Sequence, residues 1–570
     1  MNLLPSKRAR SIFVPALLVS MVGFASGPIQ LSSASTATST VETAMAPGPG
    51  THDTPIRGNG LVGRARAHWK PCGIGHPGYD CATVTVPLNY RRPSRGTTQI
   101  ALTRLPATAT AERIGTVFVN PGGPGASGID LVFSRFGERF RQALGGRFDV
   151  VGFDPRGVGA SDPLHCFATK GERNAFLFSQ PVFPYRQHQD RAFFDAWAGL
   201  GRECLDDGQR VARHMNTANV ARDLDRLRRA VSDQKLTYLG FSYGSYLGNT
   251  YANLFPDKVR ALVIDGVLDP RLWSSGRQIE SDRVATQAEF DEFLRLCDGA
   301  GPECAFWTPD GSAQRWGQLS SEIRSAPLEL SGGGQYTYDF LIADATLAMY
   351  APEVWDGPNG AAALFDFLAD AALGGKAGAA DDAARLRSDL IKQLRPPQRP
   401  EADYPNGLDA YYGNQCADTQ YPSAFRTWRT IDRRARRESR FGPFWWWSNA
   451  GCARWPVNHD RYVGPWTAQT AAPVLVVGNY FDGVTDYAGA VASAELLPNS
   501  RLLGYAGWGH TAYGRSTCVA DYVNAYLLTV SLPPEGHVCP ANPSPFLPLA
   551  RAGAEVGPLV GLPPPWLLRH

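Results

Sequence analysis

One serine in this chain has the neighbours that a nucleophile requires. Ser242 lies between Gly240 and Gly244 in the stretch YLGFSYGSYLG, with a strand-like run before it and a helix-like run after it. In this context a strained strand-to-helix turn lifts the serine out of a sheet, and the flanking glycines prevent collisions with neighbouring backbone. We therefore interpret Ser242 as a nucleophile, with an ordinary glycine-bordered turn as the alternative.

A serine hydroxyl attacks at neutral pH only when a base takes its proton and an acid orients that base. In chains of this pattern the acid and then a histidine follow the serine. Asp482 stands just past the strand-like run PVLVVGN and His510 just past RLLGYAG, whereas the two later histidines lie in a cysteine-bordered loop and at the chain end. We expect Asp482 to be the acid and His510 the base. Asp486 is the alternative acid. If Asp482 is the acid, we expect Asp486 or Thr485 to hold the catalytic residues in place without contacting the substrate.

The oxyanion of a tetrahedral intermediate needs two backbone N–H donors. Tyr243, directly after the serine, is the first expected donor. The second comes from the loop TVFVNPGGPGASG, where Gly122 and Gly123 let backbone approach a substrate and Gly123 is the expected donor. A phosphate-binding loop fits less well, because the spacing matches neither nucleotide-binding pattern and the prolines remove donors.

These residues need a sheet whose strand ends meet at one edge. Apolar β-branched runs recur along the chain, and helix-like patterns such as NVARDLDRLRRAV separate several of them. This alternation predicts an α/β fold with a mostly parallel sheet flanked by helices, whose two core segments are residues 65–274 and 466–545. The interval between them, 275–465, has helix-like stretches and predicts a mainly helical cap domain inserted into the sheet.

The chain ends are predicted to lie outside this core. Cations precede an apolar run that is short for a membrane span, so residues 1–34 are predicted to be a cleaved signal peptide. The protein is then secreted, with no stable membrane anchor. Residues 35–64 are an extension or pro-segment, and the proline-rich residues 546–570 a peripheral tail.

The charge balance argues against a nucleic-acid partner. Lys and Arg minus Asp and Glu is 56 − 53 = +3, and three of the positive charges lie in the predicted signal peptide. A near-neutral chain lacks the basic footprint that nucleic acid requires. The basic stretch 426–440 is interpreted as a solvated helix face, with polyanion binding as the alternative.

Ten cysteines in an exported chain predict five disulfides. The simplest proposal joins neighbours along the chain: Cys72 with Cys81, Cys166 with Cys204, Cys297 with Cys304, Cys416 with Cys452, and Cys518 with Cys539. Zinc binding is the alternative, but no pair of cysteines has zinc-finger spacing and no histidine cluster joins them. We therefore expect no metal.

With these residues in place, the chain resembles the α/β-hydrolase peptidases of the prolyl and tripeptidyl aminopeptidase group, and most of all the secreted actinobacterial tripeptidyl aminopeptidases. The resemblance rests on VNPGGPGASG, FDVVGFDPRGVGASDP, YLGFSYGSYLG, PVLVVGNYFDGVTDY and GWGHTAYG. It implies Ser242 as nucleophile, Asp482 as acid and His510 as base, with Gly123 and Tyr243 as oxyanion donors. It also implies a monomer that needs no cofactor and hydrolyses peptide bonds near a free amino terminus through an acyl-enzyme.

Two departures from the family pattern accompany the resemblance. Pro121 stands where prolyl aminopeptidases have a histidine, which favours the tripeptidyl branch. The acid loop FDGVTDY lacks the proline that more often follows its threonine, and this affects the expected geometry around Asp486 rather than the role of Asp482.

An aminopeptidase must also bind the free amine of its substrate, which needs a carboxylate in a partly closed pocket. Asp418 in NQCADTQYP is the candidate, with a structural aspartate that caps a turn as the alternative. Trp446 in GPFWWWSN is expected to line the acyl pocket, with packing inside the cap as the alternative.

Two other functions stay open. The same triad hydrolyses esters, so a secreted carboxylesterase is the first alternative. A catalytically silent binding module is the second, although all three triad positions are occupied here. A dehalogenase or epoxide hydrolase is excluded, because it would have an acid where Ser242 stands.

Overall fold

The computed structural model describes residues 66–206, 210–376, 378–394, 404–456 and 458–547. The predicted signal peptide and the extension that follows it lie outside the described residues, as do residues 548–570 of the predicted tail.

The strands form one large sheet and one small hairpin. In chain order they are β1 (Lys70–Pro71), β2 (Asp80–Pro87), β3 (Thr97–Leu105), β4 (Gly115–Asn120), β5 (Phe148–Phe153), β6 (Leu236–Phe241), β7 (Val259–Asp265), β8 (Leu328–Glu329), β9 (Gln335–Tyr336), β10 (Val474–Phe481), β11 (Ser500–Trp508) and β12 (Val538–Cys539). The large sheet has the order β1-β2-β3-β5-β4-β6-β7-β10-β11-β12, and β8 pairs with β9 alone.

The large sheet is antiparallel at one edge and parallel through its centre. β2 and β3 form an antiparallel pair, and β3 pairs antiparallel with β5. From β5 to β12 every neighbouring pair is parallel. All residues of β4, β5 and β6 are buried, as expected for strands covered on both faces. The predicted α/β-hydrolase fold class, with a mostly parallel sheet flanked by helices, is confirmed.

The helices are α1 (Gly128–Phe133), α2 (Arg135–Ala143), α3 (Lys170–Phe178), α4 (Asp190–Asp206), α5 (Thr217–Ala230), α6 (Tyr243–Leu254), α7 (Pro270–Ser275), α8 (Ile279–Ala300), α9 (Ser312–Ser325), α10 (Tyr338–Ala348), α11 (Ala361–Gly374), α12 (Ala379–Leu394), α13 (Gly407–Asp418), α14 (Phe425–Glu438), α15 (Gly442–Trp447), α16 (Tyr487–Leu496) and α17 (Thr517–Thr529). Among the described helices, none has the length and apolar composition to cross a membrane.

Helices cover both faces of the sheet because successive strand side chains point to opposite sides. One face packs its apolar side chains against α1, α2 and α17. The other packs against α5, α6 and α16. The strands are therefore held rigidly, and the loops at their carboxyl ends inherit fixed positions.

A third apolar cluster lies in the helices between β7 and β10, and it recruits residues from elsewhere in the chain. Side chains of α3 and α4 join those of α8 to α15 in one core, for example where Phe193 packs against Trp447 with ring centres 5.8 Å apart. Phe546 contacts Phe293 and Trp355 in the same core. We refer to α3, α4 and α8 to α15 as the helical layer. The layer thus extends beyond the interval 275–465, and Phe546, expected in a peripheral tail, is buried in it.

All five predicted disulfide pairings are confirmed: Cys72–Cys81, Cys166–Cys204, Cys297–Cys304, Cys416–Cys452 and Cys518–Cys539. The sequence separations run from 7 to 38 residues. Each bridge therefore ties a local segment rather than distant parts of the fold.

Candidate active site

Ser242 occupies a strained turn between β6 and α6. Its backbone has φ 56° and ψ −124°, a conformation that non-glycine residues rarely adopt. The Ser242 amide donates to the carbonyl of Asp265 at the end of β7, 2.9 Å away, which holds the turn against the neighbouring strand. The serine is 6% exposed and lines a cavity under the helical layer.

The two glycines that flank the serine are required by close backbone packing. A Cβ atom on Gly240 would lie 2.4 Å from the carbonyl oxygen of Gly244. A Cβ atom on Gly244 would lie 2.9 Å from the carbonyl oxygen of Asn120, on the adjacent strand β4. Contacts this short force backbone to move, so the turn accepts no side chain at either position. This explains the spacing of glycines in the sequence motif.

His510 and Asp482 form a buried pair at the ends of neighbouring parallel strands. His510 Nδ1 lies 2.9 and 3.0 Å from the two carboxylate oxygens of Asp482, and both side chains are fully buried. With Nδ1 protonated and held by the acid, Nε2 carries the free lone pair that a base needs. Nε2 is buried and has no hydrogen-bond partner among the described residues. The imidazole is thus oriented and has an unused acceptor.

Donors from two loops keep Asp482 ionised. Its carboxylate accepts from the amides of Val484, Thr485 and Thr511 at 3.0, 2.8 and 3.2 Å, and from the Thr485 hydroxyl at 2.8 Å. Burial raises the pKa of Asp482, but the attraction of His510 and these hydrogen bonds outweigh it and leave the pKa below its ordinary value. A charged acid beside the histidine stabilises the imidazolium that forms during proton transfer.

The two supporting candidates of the acid loop occupy different positions. Thr485 lies between the acid and the base, with its hydroxyl 3.3 Å from His510 Nδ1. Asp486 instead caps α16 by accepting from the amide of Ala488. The structure thus brings Asp482 to the histidine and directs Asp486 to a helix end.

Gly123 and Tyr243, the two expected oxyanion donors, lie on loops that meet beside Ser242. Tyr243 is the first residue of α6, where an amide has no acceptor within the helix. Gly123 lines the cavity beside Ser242, and a Cβ atom on Gly122 would lie 3.1 Å from the Tyr243 nitrogen, so the two loops touch. Neither Gly123 nor Tyr243 donates its amide to a described residue. Both amides remain available to an oxygen in the cavity.

Glu289 of α8, which the sequence analysis did not identify, joins the acid loop to the histidine loop. One carboxylate oxygen accepts from the Gly483 amide at 2.6 Å and the other from the Gly509 amide at 2.7 Å. Burial and the nearby charge of Asp482 raise the pKa of Glu289 well above its ordinary value, and the two amides lower it in part. The helical layer thereby fixes the residues that precede and follow the catalytic candidates.

Asp265 is a second residue that the sequence analysis missed. Its carboxylate accepts from the amides of Ala512 and Tyr513, just past His510, while its carbonyl accepts from Ser242. Burial raises its pKa to about 6, with the two amides lowering it in part. Its place at the carboxyl end of a strand was the available signal, because ligand and catalytic groups of parallel sheets collect at that edge.

The cavity at Ser242 is small. Its volume is about 40 Å³, which is room for about three water molecules. Catalytic-loop residues form one wall. The helical layer contributes Asp282 of α8, Tyr350 just after α10, Tyr411 and Gln415 of α13, and Trp445 of α15.

Asp418 is not positioned as expected, because it does not line this cavity. It is 1% exposed and accepts from the Thr217 amide at 2.7 Å and from the Thr217 hydroxyl at 2.6 Å. Burial raises its pKa to about 7, with the bonds from Thr217 lowering it in part. Its hydrogen bonds give it a structural role at the start of α5, which is the alternative that the sequence left open.

Trp446 is also placed differently from the expectation. Its indole stacks on Trp428 with ring centres 4.2 Å apart and donates to the Trp428 carbonyl. The preceding Trp445 lines the cavity instead and donates to the Thr286 hydroxyl at 2.7 Å. Neighbouring residues of a helix point about 100° apart, so only one of the consecutive tryptophans can face the site.

Family models match two segments that together contain the site. The model described as α/β hydrolase fold matches residues 115–307, which include Ser242. The model described as TAP-like protein matches residues 437–539, which include Asp482 and His510.

Three relatives align along most of the chain. Serine protease Hip1 of Mycobacterium tuberculosis H37Rv is 31% identical over 493 residues, which cover 83% of this chain and 90% of the relative. The tripeptidyl aminopeptidase of Streptomyces lividans is 32% identical over 491 residues, with 82% and 85% covered. Carboxylesterase B of the same mycobacterium is 31% identical over 473 residues, with 80% and 86% covered.

Proposed function

The chain belongs to the tripeptidyl-aminopeptidase-like family of α/β-hydrolases and is a serine hydrolase, and on this premise we propose that it is a secreted serine peptidase that cleaves peptide bonds near the free amino terminus of its substrates. Similarity to relatives named tripeptidyl aminopeptidase and serine protease supports amide hydrolysis. The residues of the site supply a complete set of groups for it.

The reaction follows from the positions of these groups. His510 Nε2 takes the proton of the Ser242 hydroxyl as the oxygen attacks the peptide carbonyl, while Asp482 stabilises the imidazolium. The amides of Gly123 and Tyr243 bind the oxyanion that results. The C–N bond breaks as His510 passes the proton to the leaving amine. Water then attacks the acyl-enzyme with the same histidine as base, and releases the free carboxylate and the serine.

The observation that supports this proposal most directly is the unused Nε2 of His510. A buried imidazole nitrogen without a partner costs free energy, and structures usually satisfy such atoms. Here the other ring nitrogen is held by Asp482, and the same edge of the sheet carries a serine in a strained turn. Strain and an unsatisfied acceptor together favour a catalytic role over a purely structural one.

The helical layer over the cavity supports cleavage near a chain end. The helical layer covers the serine and leaves about 40 Å³ beside it. An internal segment of a folded protein would need an open groove with two exits, whereas a chain terminus can enter a closed cavity from one side. We therefore propose that the end of a peptide is the substrate.

Ester hydrolysis is the second candidate, because one relative that covers most of the chain is named carboxylesterase B. The triad and the oxyanion donors serve esters and amides alike. The two candidates differ in the need for a free amine on the substrate.

Secretion is supported by the five disulfides, which persist in oxidising compartments. The predicted signal peptide points the same way. Recovery of the protein from culture medium with an amino terminus near residue 35 is the expected result, and retention inside the cell would contradict it.

The function is tested with four chromogenic substrates: a free-amine tripeptide anilide, its N-acetylated form, a single-residue anilide and a short-chain ester. The free-amine tripeptide is expected to be the best substrate. Ser242→Ala should lower turnover at least roughly 10⁴-fold, whereas Ser325→Ala, at an exposed position, should leave it unchanged. Full activity of Ser242→Ala would rule out Ser242 as the nucleophile. Turnover of the ester alone would rule out the proposed peptidase function.

A further inference from the structure

Two side-chain oxygens in the cavity lack the donors that buried oxygens normally have, and an acid lies beside them. Gln278 Oε1 and Gln415 Oε1 are buried without a hydrogen-bond partner among the described residues. Both side chains line the cavity that contains Ser242, at 5% and 4% exposure. Asp282, one turn after Gln278, lines the same cavity. Unsatisfied acceptors that converge on one space indicate a missing donor.

Asp282 is an acid without a cation. Among the described residues, the hydrogen-bond partner of its carboxylate is Gln278, whose amide nitrogen donates to Oδ1 at 2.7 Å. Burial raises the pKa of Asp282 well above its ordinary value, and the acids Asp486 and Asp482 raise it further, with only the bond from Gln278 lowering it. No positively charged side chain of the described residues offsets this. A buried carboxylate in such a place gains most from a cation that comes from outside.

Hydrogen bonds on the nitrogen side fix the orientation of both amides. Gln278 Nε2 donates to Asp282, which directs Oε1 away from that bond. Gln415 Nε2 donates to Asn449 Oδ1, and this oxygen also accepts from the Tyr421 hydroxyl at 2.9 Å. Reversing either amide would place its oxygen where a donor is needed. The unpaired oxygens are therefore set by the network around them.

We propose that Asp282, Gln278 and Gln415 form a binding site for a primary ammonium group, namely the free amino terminus of the peptide substrate. An ammonium carries three N–H donors, and the cavity offers one acceptor on each of these three side chains. Tyr350, Tyr411 and Trp445 line the same cavity, and aromatic faces favour a cation. The site rests on the proposed function, since it supplies the recognition that an aminopeptidase requires and an esterase does not.

This geometry favours Asp282 over Asp418 as the acid that binds the amine. Asp418 already receives two hydrogen bonds from Thr217 and lies outside the cavity, whereas Asp282 shares the cavity with the nucleophile. A lysine side chain carries the same ammonium chemistry. Substrates with an acetylated terminus and an internal lysine therefore separate the two sources.

The test compares wild type, Asp282→Asn and Asp291→Asn, an isosteric change at an exposed position of the same helix. Substrates are a free-amine tripeptide anilide, its N-acetylated form, an N-acetylated lysine-containing form and a short-chain ester. Asp282→Asn should lower kcat/KM for the free-amine substrate roughly 10–100-fold, mainly through KM, because a charged hydrogen bond is lost. The loss on the ester, which carries no ammonium group, should be smaller than the loss on the free-amine substrate, and Asp291→Asn should behave as wild type.

Four outcomes distinguish the hypotheses. A wild type that prefers the free amine, with the preference kept in Asp282→Asn, would overturn this site and leave the peptidase intact. Equal loss on all substrates would assign Asp282 a structural role and also overturn it. Preference for the acetylated lysine substrate would assign the site to a side-chain ammonium. Hydrolysis of the ester alone by wild type would overturn both proposals.

A measurement on wild type covers the case in which the variant does not fold. The free-amine tripeptide and its N-acetylated form are compared as competitive inhibitors of ester hydrolysis. The free-amine form should inhibit at concentrations at least roughly tenfold lower, because only it can donate to all three acceptors. Equal inhibition by the two forms would contradict the site.

Discussion

Replacement of Glu289 by glutamine tests whether the helical layer controls the catalytic geometry. The carboxylate joins the Gly483 amide, next to Asp482, to the Gly509 amide, next to His510, at 2.6 and 2.7 Å. Both oxygens of a carboxyl group accept hydrogen bonds. In glutamine one of them becomes an NH₂ donor, which would face a backbone N–H.

The magnitude follows from that conflict. One buried amide loses its acceptor, which costs about 1–3 kcal/mol of the free energy of unfolding. The loop whose amide loses its acceptor contains either the acid Asp482 or the base His510. A displacement of about 1 Å between catalytic groups costs roughly 10²-fold in rate. We therefore expect kcat of Glu289→Gln to fall roughly 100-fold, with KM nearly unchanged because Glu289 lies outside the substrate cavity.

Steady-state kinetics on the free-amine tripeptide anilide, together with thermal unfolding, measures both effects. Asp291→Asn, an acid-to-amide change at an exposed position of the same helix, is the control and should match wild type. A folded Glu289→Gln protein with kcat within threefold of wild type would refute the reasoning. A rise in KM at constant kcat would show that the helix acts on binding instead.

Three further changes probe other parts of the site. Asp482→Asn should favour the wrong tautomer of His510 and lower kcat roughly 10⁴-fold at similar KM, measured on the same anilide. Gly240→Ala should destabilise the fold by about 1–3 kcal/mol through overpacking, whereas Gly199→Ala, whose Cβ meets nothing within 4 Å, should not destabilise it. Because the pKa of Asp418 is raised to about 7 in the folded protein, its contribution to stability falls as pH rises from about 4 to about 7, by roughly 4 kcal/mol at most. The free energy of unfolding, measured by denaturation between pH 4 and pH 8, should therefore decline less with rising pH for Asp418→Asn than for wild type.

The parts of the site that depend on local backbone were predictable from the sequence. The strand, turn and helix around Ser242 follow from apolar runs and from two glycines that admit no side chain. Asp482 and His510 could be predicted as the acid and the base because parallel strands end at one edge of the sheet, which limits the candidates to residues after β10 and β11. Whether Ser242, Asp482 and His510 act as proposed is for the kinetics to test.

The parts that depend on distant partners were not predictable. Glu289 contacts amides 194 and 220 residues away along the chain, and its helix shows only that one side is buried. A buried glutamate has no sequence signature until its partners are known. The same holds for Asp282, which the sequence analysis passed over in favour of Asp418 beside a cysteine.

The sequence also could not decide between Trp445 and Trp446 as the indole that lines the cavity. Consecutive residues of α15 differ by about 100° in direction, and the motif WWW does not state which of them faces the site. A shift of one residue exchanges an indole that lines the cavity for one that stacks on Trp428.

The composition of the helical layer also affects how the protein folds during synthesis and how it can be engineered. Its core draws on α3 and α4 before the nucleophile turn, on α8 to α15, and on Phe546 close to the last described residue. A nascent chain cannot complete this core until residue 546 has been made, so the cavity forms after the segments of the sheet have been synthesised. For the same reason the layer cannot be transplanted as one cassette: a chimera that exchanged only residues 275–465 would leave Phe193 and Phe546 without their packing partners.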